Sequence, residues 1–288
     1  MMQIHKVGIT SKPRKPEIKE IVLQLARWLE QRGIEVMMDK ETGANMEAAG
    51  PCLGRSEVVS SADLVVVLGG DGTLLATARA VGAKPVPILA VNLGGLGFLT
   101  VITLEELYPA LEMVLAGEFK TERRVRIESE VRRNNEVTSS FLALNDVVLN
   151  KGAIARVLDF DMWADGRFIS TYKSDGLIVS TPTGSTAYSL AAGGPVVVPS
   201  VNAFIVTPIC AHTLTNRAIV LPDSVTLEIT MKSHQESVYL TVDGQVAIAL
   251  RSNDQVRVKK SNSCFDLIQP PHKSYFEVLR QKLKWGER

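Results

Sequence analysis

A glycine-rich turn directly after an apolar run is the feature that most limits how this chain can fold. The run Leu64–Leu68 is apolar throughout, which is typical of a strand covered on both faces in a parallel sheet. Gly69–Thr73 forms the turn, and Leu74–Val81 is predicted to continue as a helix. Backbone N–H groups at such a junction favour an anionic phosphate. We therefore predict an α/β region with a phosphate-binding loop.

Asp71 is the unexpected residue of this turn, because a carboxylate repels phosphate. Three roles would explain it: holding a metal ion, accepting a proton from a hydroxyl, or binding a sugar. An ordinary strand-to-helix turn with an Asp near the helix N-terminus is the alternative. The five residues alone do not separate these interpretations, since short motifs often recur by chance.

Strand and helix patterns alternate through the first part of the chain. Apolar residues recur at helical spacing between Ile18 and Leu29, and Val86–Val91 repeats the pattern of a buried strand. This alternation predicts a doubly wound α/β domain over residues 1–122, whose ligands bind at the carboxyl ends of the strands. A second glycine turn, Asn92–Phe98, follows one of these strands. We therefore expect two loops in one crevice.

Beyond residue 122 the apolar period changes to two. Leu227 and Ile229, for example, alternate with Glu228 and Thr230, which is typical of half-buried antiparallel strands. We predict about ten such strands in an all-β, β-sandwich-like domain over residues 123–268.

The end of the chain carries one more helical pattern. Tyr275, Leu279 and Leu283 recur at a spacing of four, which predicts a short amphipathic helix. We expect this helix to pack back on the first domain, so that residues 269–288 join residues 1–122. Docking on a partner subunit is the alternative.

Charge and cysteine usage exclude several functional classes. Lys and Arg number 32 and Asp and Glu 31, so the net charge of +1 provides no general attraction to nucleic acid or anionic lipid. Lys40 and Arg55 could contact phosphate, but surface charge is the simpler explanation. Cys52, Cys210 and Cys264 are far apart, which fits a reducing compartment and argues against a disulfide framework or a zinc site. No stretch reaches the roughly 18 apolar residues of a membrane span, so we expect a cytoplasmic protein without membrane or nucleic-acid partners.

Two polar stretches interrupt the predicted all-β domain. Ser174–Pro195 is rich in hydroxyl groups and glycines and includes Tyr188, a combination that can bind a sugar and stack a base. Asn145 and Asp146 form a polar pair in the middle of what would be a buried strand. Because buried polar groups must be satisfied, either a ligand hydroxyl or an internal hydrogen-bond network is expected there.

Four regions together resemble the NAD kinase family. They are the turn Gly69–Thr73, the pair Asn145–Asp146, the segment Ser174–Pro195 and the turn Val242–Gln245, in the family's order and at similar separations. The resemblance covers the chain from about residue 4 to 280. The glycine turn alone is also similar to that of diacylglycerol, sphingosine and 6-phosphofructo kinases, whereas the segment Ser174–Pro195 is far more specific.

The resemblance implies an enzyme that phosphorylates the 2′-hydroxyl of the adenosine ribose of NAD to form NADP. The implied donor is ATP or inorganic polyphosphate, with a divalent cation, Mg²⁺ by preference. Asp71 matches the family's general base, a role typically worth about 10²- to 10⁴-fold in rate. The turn lacks the Lys of a Walker motif, so the cation and the backbone of Gly69–Thr73 must neutralise most of the donor's charge, with Arg14 and Lys15 as candidate helpers.

The same resemblance assigns residues to the acceptor. Asn145 and Asp146 are implied to hold ribose hydroxyls or the adenine amine, and Asp175 to contact the nicotinamide end. Many relatives have Glu where Asp146 stands, which leaves the exact partner of the shorter side chain open. Phe98 is implied to form a wall against a base. The full set for substrate or cofactor binding is Gly70, Gly72, Thr73, Phe98, Asn145, Asp146, Lys173, Asp175, Thr183, Thr186, Ala187 and Tyr188.

Several points stay open at the level of sequence. Asp243 fits either a ligand contact or a hairpin turn, and the turn is slightly favoured. The site is expected in the cleft between the domains, in a homodimer or homotetramer. A lipid kinase that shares the glycine turn and a non-catalytic dinucleotide-binding module are the alternative functions; the hydroxyl-rich segment argues against the first, and the intact Asp71 against the second.

Overall fold

The computed structural model describes residues 3–12, 16–44, 53–152, 157–213, 215–232, 238–270 and 272–286. The chain divides into two compact units, Met1–Arg123 with Phe265–Arg288, and Arg124–Cys264. In the part of the chain so described, no helix is both long and apolar enough to cross a membrane.

The elements are numbered in chain order. The strands are β1 (Lys6–Ser11), β2 (Glu35–Met38), β3 (Leu64–Leu68), β4 (Pro87–Val91), β5 (Lys120–Arg124), β6 (Ile127–Arg133), β7 (Glu136–Ala143), β8 (Asp146–Lys151), β9 (Leu158–Ala164), β10 (Arg167–Ser174), β11 (Gly176–Ser180), β12 (Ala203–Ile209), β13 (Ile219–Pro222), β14 (Leu227–Met231), β15 (Val238–Val242), β16 (Val246–Leu250), β17 (Gln255–Lys260) and β18 (Phe265–Gln269). The helices are α1 (Pro16–Glu30), α2 (Lys40–Ala44), α3 (Arg55–Ser61), α4 (Asp71–Ala80), α5 (Leu107–Leu115), α6 (Tyr188–Ala191) and α7 (Tyr275–Leu283). Thr183–Thr186 adds one turn of 3-10 helix.

The first unit is built on a six-stranded sheet in the order β2-β1-β3-β4-β18-β5. The pairs β1–β2, β1–β3, β3–β4 and β4–β18 are parallel. All five residues of β3 are buried, as expected for a central strand with helices on both faces. The predicted doubly wound α/β architecture is therefore confirmed.

The helix α7 packs back on the first unit, as predicted. Its Val278 belongs to the same buried cluster as Ile18 and Leu25 of α1. Ser274 caps the helix, since its side chain accepts a hydrogen bond from the backbone N–H of Glu277 at 3.3 Å. Lys273, just before the cap, donates to the carbonyl of Val101 at 3.0 Å.

The strand β18 corrects the end of the predicted all-β range, 123–268. Its residues Asp266 and Leu267 pair with Pro87 and Ile88 of β4, so the strand joins the parallel sheet of the first unit. An alternating pattern marks a half-buried strand but does not identify the sheet that the strand joins. The sequence therefore could not assign β18 to its sheet.

The second unit consists of two six-stranded sheets, β10-β9-β14-β17-β6-β7 and β13-β12-β11-β8-β15-β16, against about ten predicted strands. Neighbouring strands pair antiparallel throughout these sheets. Both contribute to one buried cluster, with Phe160 and Ile229 from the first sheet and Leu177 and Phe204 from the second. A shared core between two antiparallel sheets defines a β-sandwich, which confirms the predicted architecture.

Candidate active site

The glycine turn lies where the strand pattern predicts it. β3 ends at Leu68, Gly69 and Gly70 follow, and α4 begins at Asp71. A side chain at Gly69 would overlap with the side chain of Thr73, so the turn is too tight for any residue but glycine. The N-terminal amides of α4 therefore lie at the carboxyl end of a central parallel strand, a favourable place for an anion.

The carboxylate of Asp71 is tied to the second glycine turn. Its Oδ2 accepts a hydrogen bond from the backbone N–H of Phe98 at 3.0 Å. Its Oδ1 accepts from the N–H of Leu99 at 3.2 Å and from both the N–H and the hydroxyl of Thr100 at 3.0 Å. A carboxylate offers about four acceptor positions, so Oδ2 retains capacity for a ligand hydroxyl.

The second glycine turn is shaped to receive this carboxylate. Asn92 organises it, since its side-chain amide donates to the hydroxyl of Thr100 at 2.8 Å and its oxygen accepts from the N–H of Gly94 at 2.7 Å. A side chain at Gly97 would overlap with the carboxylate of Asp71. Gly97 and Thr100 were missed in the sequence, because their partner lies almost thirty positions earlier in the chain.

A cavity of about 420 Å³ opens beside the first glycine turn. Its lining residues are Ser11, Lys12, Glu41, Arg55, Gly70, Gly72, Thr73, Ala76 and Arg79. The predicted contacts Gly70, Gly72 and Thr73 thus share one cavity with three basic side chains. Arg14 and Lys15 lie outside the described residues, although Lys12 just before them belongs to the cavity wall.

Arg55 is part of the cavity wall, and not the simple surface charge expected from the sequence. Its side chain is only 16% exposed, and its Nε donates to Asp39 at 2.5 Å while Nη2 donates to Glu41 at 2.7 Å. Asp39 is buried and also accepts from the backbone N–H of Thr42 at 2.8 Å. The buried carboxylate thus holds one cationic group at the edge of the cavity.

In the second unit, the pair Asn145–Asp146 lies at the junction of β7 and β8, and not in the middle of a strand as predicted. The side-chain oxygen of Asn145 is buried and has no hydrogen-bond partner in the described part of the chain. Asp146 is 4% exposed. Burial and the negative charge of Asp243 raise the pKa of Asp146 from 3.8 to about 7.

Asp243 lies in a hairpin turn and also contacts this pair. It has a left-handed backbone (φ +49°), as does Gly244 after it, which confirms the turn. Its carboxylate accepts hydrogen bonds from the backbone N–H groups of Leu144 at 3.1 Å, Asn145 at 2.7 Å and Asp146 at 3.2 Å.

The hydroxyl-rich segment packs against the other side of the pair. The hydroxyl of Thr181 donates to the carbonyl of Leu144 at 2.6 Å, and its N–H donates to the carbonyl of Asn145 at 2.9 Å. A side chain at Gly184 would overlap with the backbone of Asn145. The hydroxyl of Ser185 donates to the carbonyl of Pro182 at 2.7 Å, so part of the segment's hydroxyl groups shape the loop itself.

Four predicted contacts cluster around this loop. Thr183 follows β11 and its hydroxyl accepts from Arg124 at 3.4 Å, while the hydroxyl of Thr186 donates to the carbonyl of Thr183 at 3.3 Å. Ala187 donates its N–H to the carbonyl of Gly184 at 2.9 Å, and Tyr188 is 45% exposed. The ring of Tyr188 is therefore accessible to a ligand.

Lys173 and Asp175 lie at the opposite end of β11. Ser180 pairs with Asp146, whereas Gly176 pairs with Asn150, so the length of β11, about 13 Å from Gly176 to Ser180, lies between these residues and the loop that contains Thr183. Asp175 forms an ion pair with Lys151 at 2.7 Å. Lys173 is exposed, with Asp159 at 4.0 Å. The structure therefore does not bring them together with Asn145 and Asp146.

The first unit carries a glycine turn typical of phosphate binding, with a cavity lined by basic side chains beside it. The second unit carries a polar, hydroxyl-rich site on a β-sandwich. These features are typical of a nucleotide phosphotransferase. Comparison with known proteins agrees. Residues 7–119 match the ATP-NAD kinase N-terminal domain, and residues 144–270 match the ATP-NAD kinase C-terminal domain.

Relatives match along nearly the whole chain. The chain is 52% identical to the NAD kinase of Solibacter usitatus (strain Ellin6076), covering 99% of both chains, and 47% identical to that of Syntrophotalea carbinolica (strain DSM 2380 / NBRC 103641 / GraBd1), covering 98% of this chain and 99% of the relative. Among solved structures, yeast NADH kinase complexed with NADH matches with a TM-score of 0.91 and 28% identity, over 99% of this chain and 89% of the yeast chain. An Archaeoglobus fulgidus NAD kinase in complex with ATP, 24% identical, shares the fold with a TM-score of 0.77 over 97% of this chain and 98% of the other.

The chain belongs to the ATP-NAD kinase family. It is an enzyme that phosphorylates NAD with ATP at the 2′-hydroxyl of the adenosine ribose and so forms NADP. The alternatives of a lipid kinase and of a non-catalytic dinucleotide-binding module are thereby set aside.

Proposed function

We propose that Asp71 is the general base of this phosphoryl transfer. A secondary hydroxyl is almost wholly protonated at neutral pH, so a carboxylate that accepts its proton as the P–O bond forms lowers the barrier. The observation that carries the proposal is the position of Asp71 at the start of α4, held by four hydrogen bonds from Phe98, Leu99 and Thr100. These bonds fix the carboxylate in one orientation, which is what a general base requires.

The donor binds in the cavity beside the glycine turn. Its wall combines the N-terminal end of α4 with the cationic side chains of Lys12, Arg55 and Arg79, which take the place of the Walker lysine. These groups recognise phosphate, a chemistry that ATP shares with inorganic polyphosphate. We therefore expect polyphosphate to serve as a second donor.

A divalent cation fits this cavity as a companion of the donor. The described residues include no cluster of three or more His, Cys, Asp or Glu side chains suited to a metal ion. Mg²⁺ needs none, since it usually keeps several waters and binds through one or two carboxylates and the substrate's phosphates. Glu41 in the cavity wall is a carboxylate suited to it. When bound, the cation would neutralise charge on the transferred phosphoryl group.

Asn145 and Asp146 bind the acceptor. The buried, unpartnered oxygen of Asn145 and the buried carboxylate of Asp146 offer acceptors for ribose hydroxyls or the adenine amine. Thr183, Thr186 and Ala187 border the same loop, and the exposed ring of Tyr188 is available to stack on a base. Phe98, in the second glycine turn of the first unit, is proposed as a wall against a base.

The role of Asp71 is tested by replacing its carboxylate with an amide. Asp71→Asn is expected to lower kcat by about 10²- to 10⁴-fold with little change in the dissociation constant for NAD. Thr100→Val is the matched control, because it removes one hydrogen bond to Asp71 and keeps the carboxylate. Steady-state NADP formation and calorimetric NAD binding are the measurements. A near-wild-type kcat in Asp71→Asn would rule the assignment out.

The enzyme is further proposed to work in the cytoplasm as a homodimer or homotetramer. Cys210 and Cys264 are free thiols, in keeping with a reducing compartment. Apolar side chains are exposed on edge strands of the sandwich, with Phe168 on β10 at 57% and Val220 on β13 at 50%. Exposed apolar edges of this kind favour association between copies of a chain.

A further inference from the structure

We propose that Asp243 is a positioning residue for NAD binding: its carboxylate holds the backbone of Leu144–Asp146 so that the side chains of Asn145 and Asp146 face the acceptor, while Asp243 itself does not touch NAD. This inference rests on the proposed role of Asn145 and Asp146 in acceptor binding.

The carboxylate of Asp243 accepts hydrogen bonds from three consecutive backbone amides. Oδ1 of Asp243 accepts from Asn145 at 2.7 Å and Asp146 at 3.2 Å, and Oδ2 accepts from Leu144 at 3.1 Å. The backbone N–H of Asp243 returns a hydrogen bond to the carbonyl of Asp146 at 2.9 Å. Hydrogen bonds to an ionised acceptor are stronger than neutral ones, and Asp243 is only 6% exposed. The segment therefore has little freedom to turn.

Within the segment 144–146, hydrogen bonding differs between the backbone and the side chains. Thr181 satisfies the carbonyls of Leu144 and Asn145 from the other side, so the backbone groups of the segment are bonded within the protein. The side-chain oxygen of Asn145, in contrast, has no partner in the described chain, and no hydrogen bond contributes to the pKa of Asp146. Hydrogen bonds within the protein therefore satisfy the backbone of this segment, whereas the side chains of Asn145 and Asp146 are available to a ligand.

The charges around Asp146 also involve Asp243. Asp243 acts on Asp146 as a like charge and on Arg126 as an opposite charge, and uncharged Ser180 pairs with Asp146 in the sheet. Burial lowers the pKa of Arg126, while the charges of Asp243 and Cys264 raise it. Asp243 thus influences Asp146 electrostatically as well as through the backbone.

A hairpin turn alone does not require this carboxylate. Asn adopts the left-handed backbone of such a turn as readily as Asp, so Asp243→Asn keeps the turn and removes the charged acceptor. The chain offers a matched control in Asp165, which has φ +48° and is followed by Gly166 in the hairpin between β9 and β10. Its carboxylate accepts one backbone hydrogen bond, from Thr226 at 2.9 Å.

The experiment compares Asp243→Asn and Asp243→Glu with Asp165→Asn in the full-length enzyme. Both Asp243 variants are expected to raise the dissociation constant and KM for NAD by about 10- to 100-fold, with KM for ATP within about twofold of wild type. NAD binding by the wild type should strengthen as pH rises through about 7, where Asp146 ionises. Asp243→Asn moves this rise to lower pH because the like charge is gone, whereas Asp243→Glu leaves it near 7 because the charge stays.

Asn145→Ala tests the role of Asn145 and Asp146 in NAD binding separately from the role of Asp243. If Asn145→Ala binds NAD as the wild type does, the acceptor assignment fails. If Asn145→Ala weakens binding while both Asp243 variants match Asp165→Asn in NAD affinity and pH profile, only the positioning role of Asp243 is wrong. If the Asp243 variants lose affinity for NAD and ATP equally and also have a lower Tm, the positioning role of Asp243 is likewise wrong. Should Asp243→Asn fail to fold, Asp243→Glu carries the test through its selective effect on NAD.

Discussion

At the scale of single residues, the proposed general base and the proposed acceptor site contain carboxylates in opposite situations. Asp71 is half-buried and accepts hydrogen bonds from three residues of one loop. Asp146 is buried beside Asp243, and the structure gives its carboxyl no comparable support. A buried carboxylate to which the described residues donate no hydrogen bond is costly for the fold, so the proposed acceptor role of Asp146 has a cost in stability.

The cost at Asp146 depends on pH. Its pKa rises from 3.8 to about 7 on folding. Below about pH 4 the group is protonated in both states and contributes nothing; between about pH 4 and 7 the folded state keeps a proton that the unfolded state has lost, so stability falls as pH rises. Above about pH 7 the penalty reaches its limit, at most about 4 kcal/mol.

Asp146→Asn should therefore stabilise the enzyme more at pH 8 than at pH 5, while weakening NAD binding. The gain arises because the amide carries no charge to bury. Urea unfolding at the two pH values measures it. A gain of equal size at both pH values would contradict the raised pKa of Asp146.

Gly97 is the residue on which the contact between the two glycine turns depends. Gly97→Ala should lower stability by about 1–3 kcal/mol and reduce activity, because the methyl group overlaps with Asp71 and Thr100. Gly95→Ala, in the same turn, is the control, since nothing lies within 4 Å of its added methyl. Thermal unfolding and NADP formation compare the two variants. Similar behaviour of both would mean that the turn adapts to the methyl group.

Local sequence patterns predict the candidate site residues but not their hydrogen-bond partners. Asp71 and the pair Asn145–Asp146 stand out locally, as a carboxylate in a glycine turn and as polar residues in an apolar stretch. The bonds from Thr100 to Asp71 and from Leu144 to Asp243 join positions 29 and 99 residues apart. No local period carries such information, since it depends on how the strands are ordered in space.

At the scale of elements, the carboxyl ends of β1 and β3 determine where the cavity proposed for the donor forms. Ser11 ends β1 and Lys12 follows it, the glycine turn follows β3, and Arg55 begins α3. The parallel sheet was predictable, because continuous apolar runs and glycine turns are local features. The place of Arg55 was not, since it is set by the buried partner Asp39.

Replacing Lys12 tests whether the phosphates of the donor bind in this cavity. Lys12→Met should raise KM for ATP and for polyphosphate about fivefold, because one cationic contact is worth about 1 kcal/mol, and should leave KM for NAD unchanged. Lys40→Met is the control, since Lys40 is exposed and does not line the cavity. Assays with the two donors side by side provide the measurement.

The assays with ATP and with polyphosphate test two different expectations. If Lys12→Met and Lys40→Met have the same KM for ATP, the donor does not bind along this wall. If the wild type uses ATP alone, the expectation of polyphosphate as a second donor is wrong.

At the scale of the whole molecule, each compact unit holds part of the predicted site. Asp71 and Phe98 are in the first unit, and Asn145, Asp146 and Thr183 are in the second. The order of the regions along the chain revealed the family, whereas the assignment of β18 to the parallel sheet required the structure. The distance between Asp175 and Thr183 likewise follows from strand register and not from their proximity in sequence.

Association is the property of the whole molecule that is most easily measured. We expect the enzyme to sediment as a dimer or tetramer at micromolar concentration. Association would bury the exposed apolar side chains on edge strands β10 and β13, which lowers the free energy. Sedimentation velocity over a range of concentrations is the measurement. A single species with the mass of one 31.4 kDa chain throughout would contradict this expectation.

The single-turnover rate of NADP formation in Asp71→Asn as a function of pH tests the central claim most directly. With NAD and Mg-ATP saturating, a variant without its general base depends on hydroxide, so its rate should rise about tenfold per pH unit between pH 7 and 9, while the wild-type rate stays nearly level. A variant whose rate parallels that of the wild type across this range would show that Asp71 does not accept the proton.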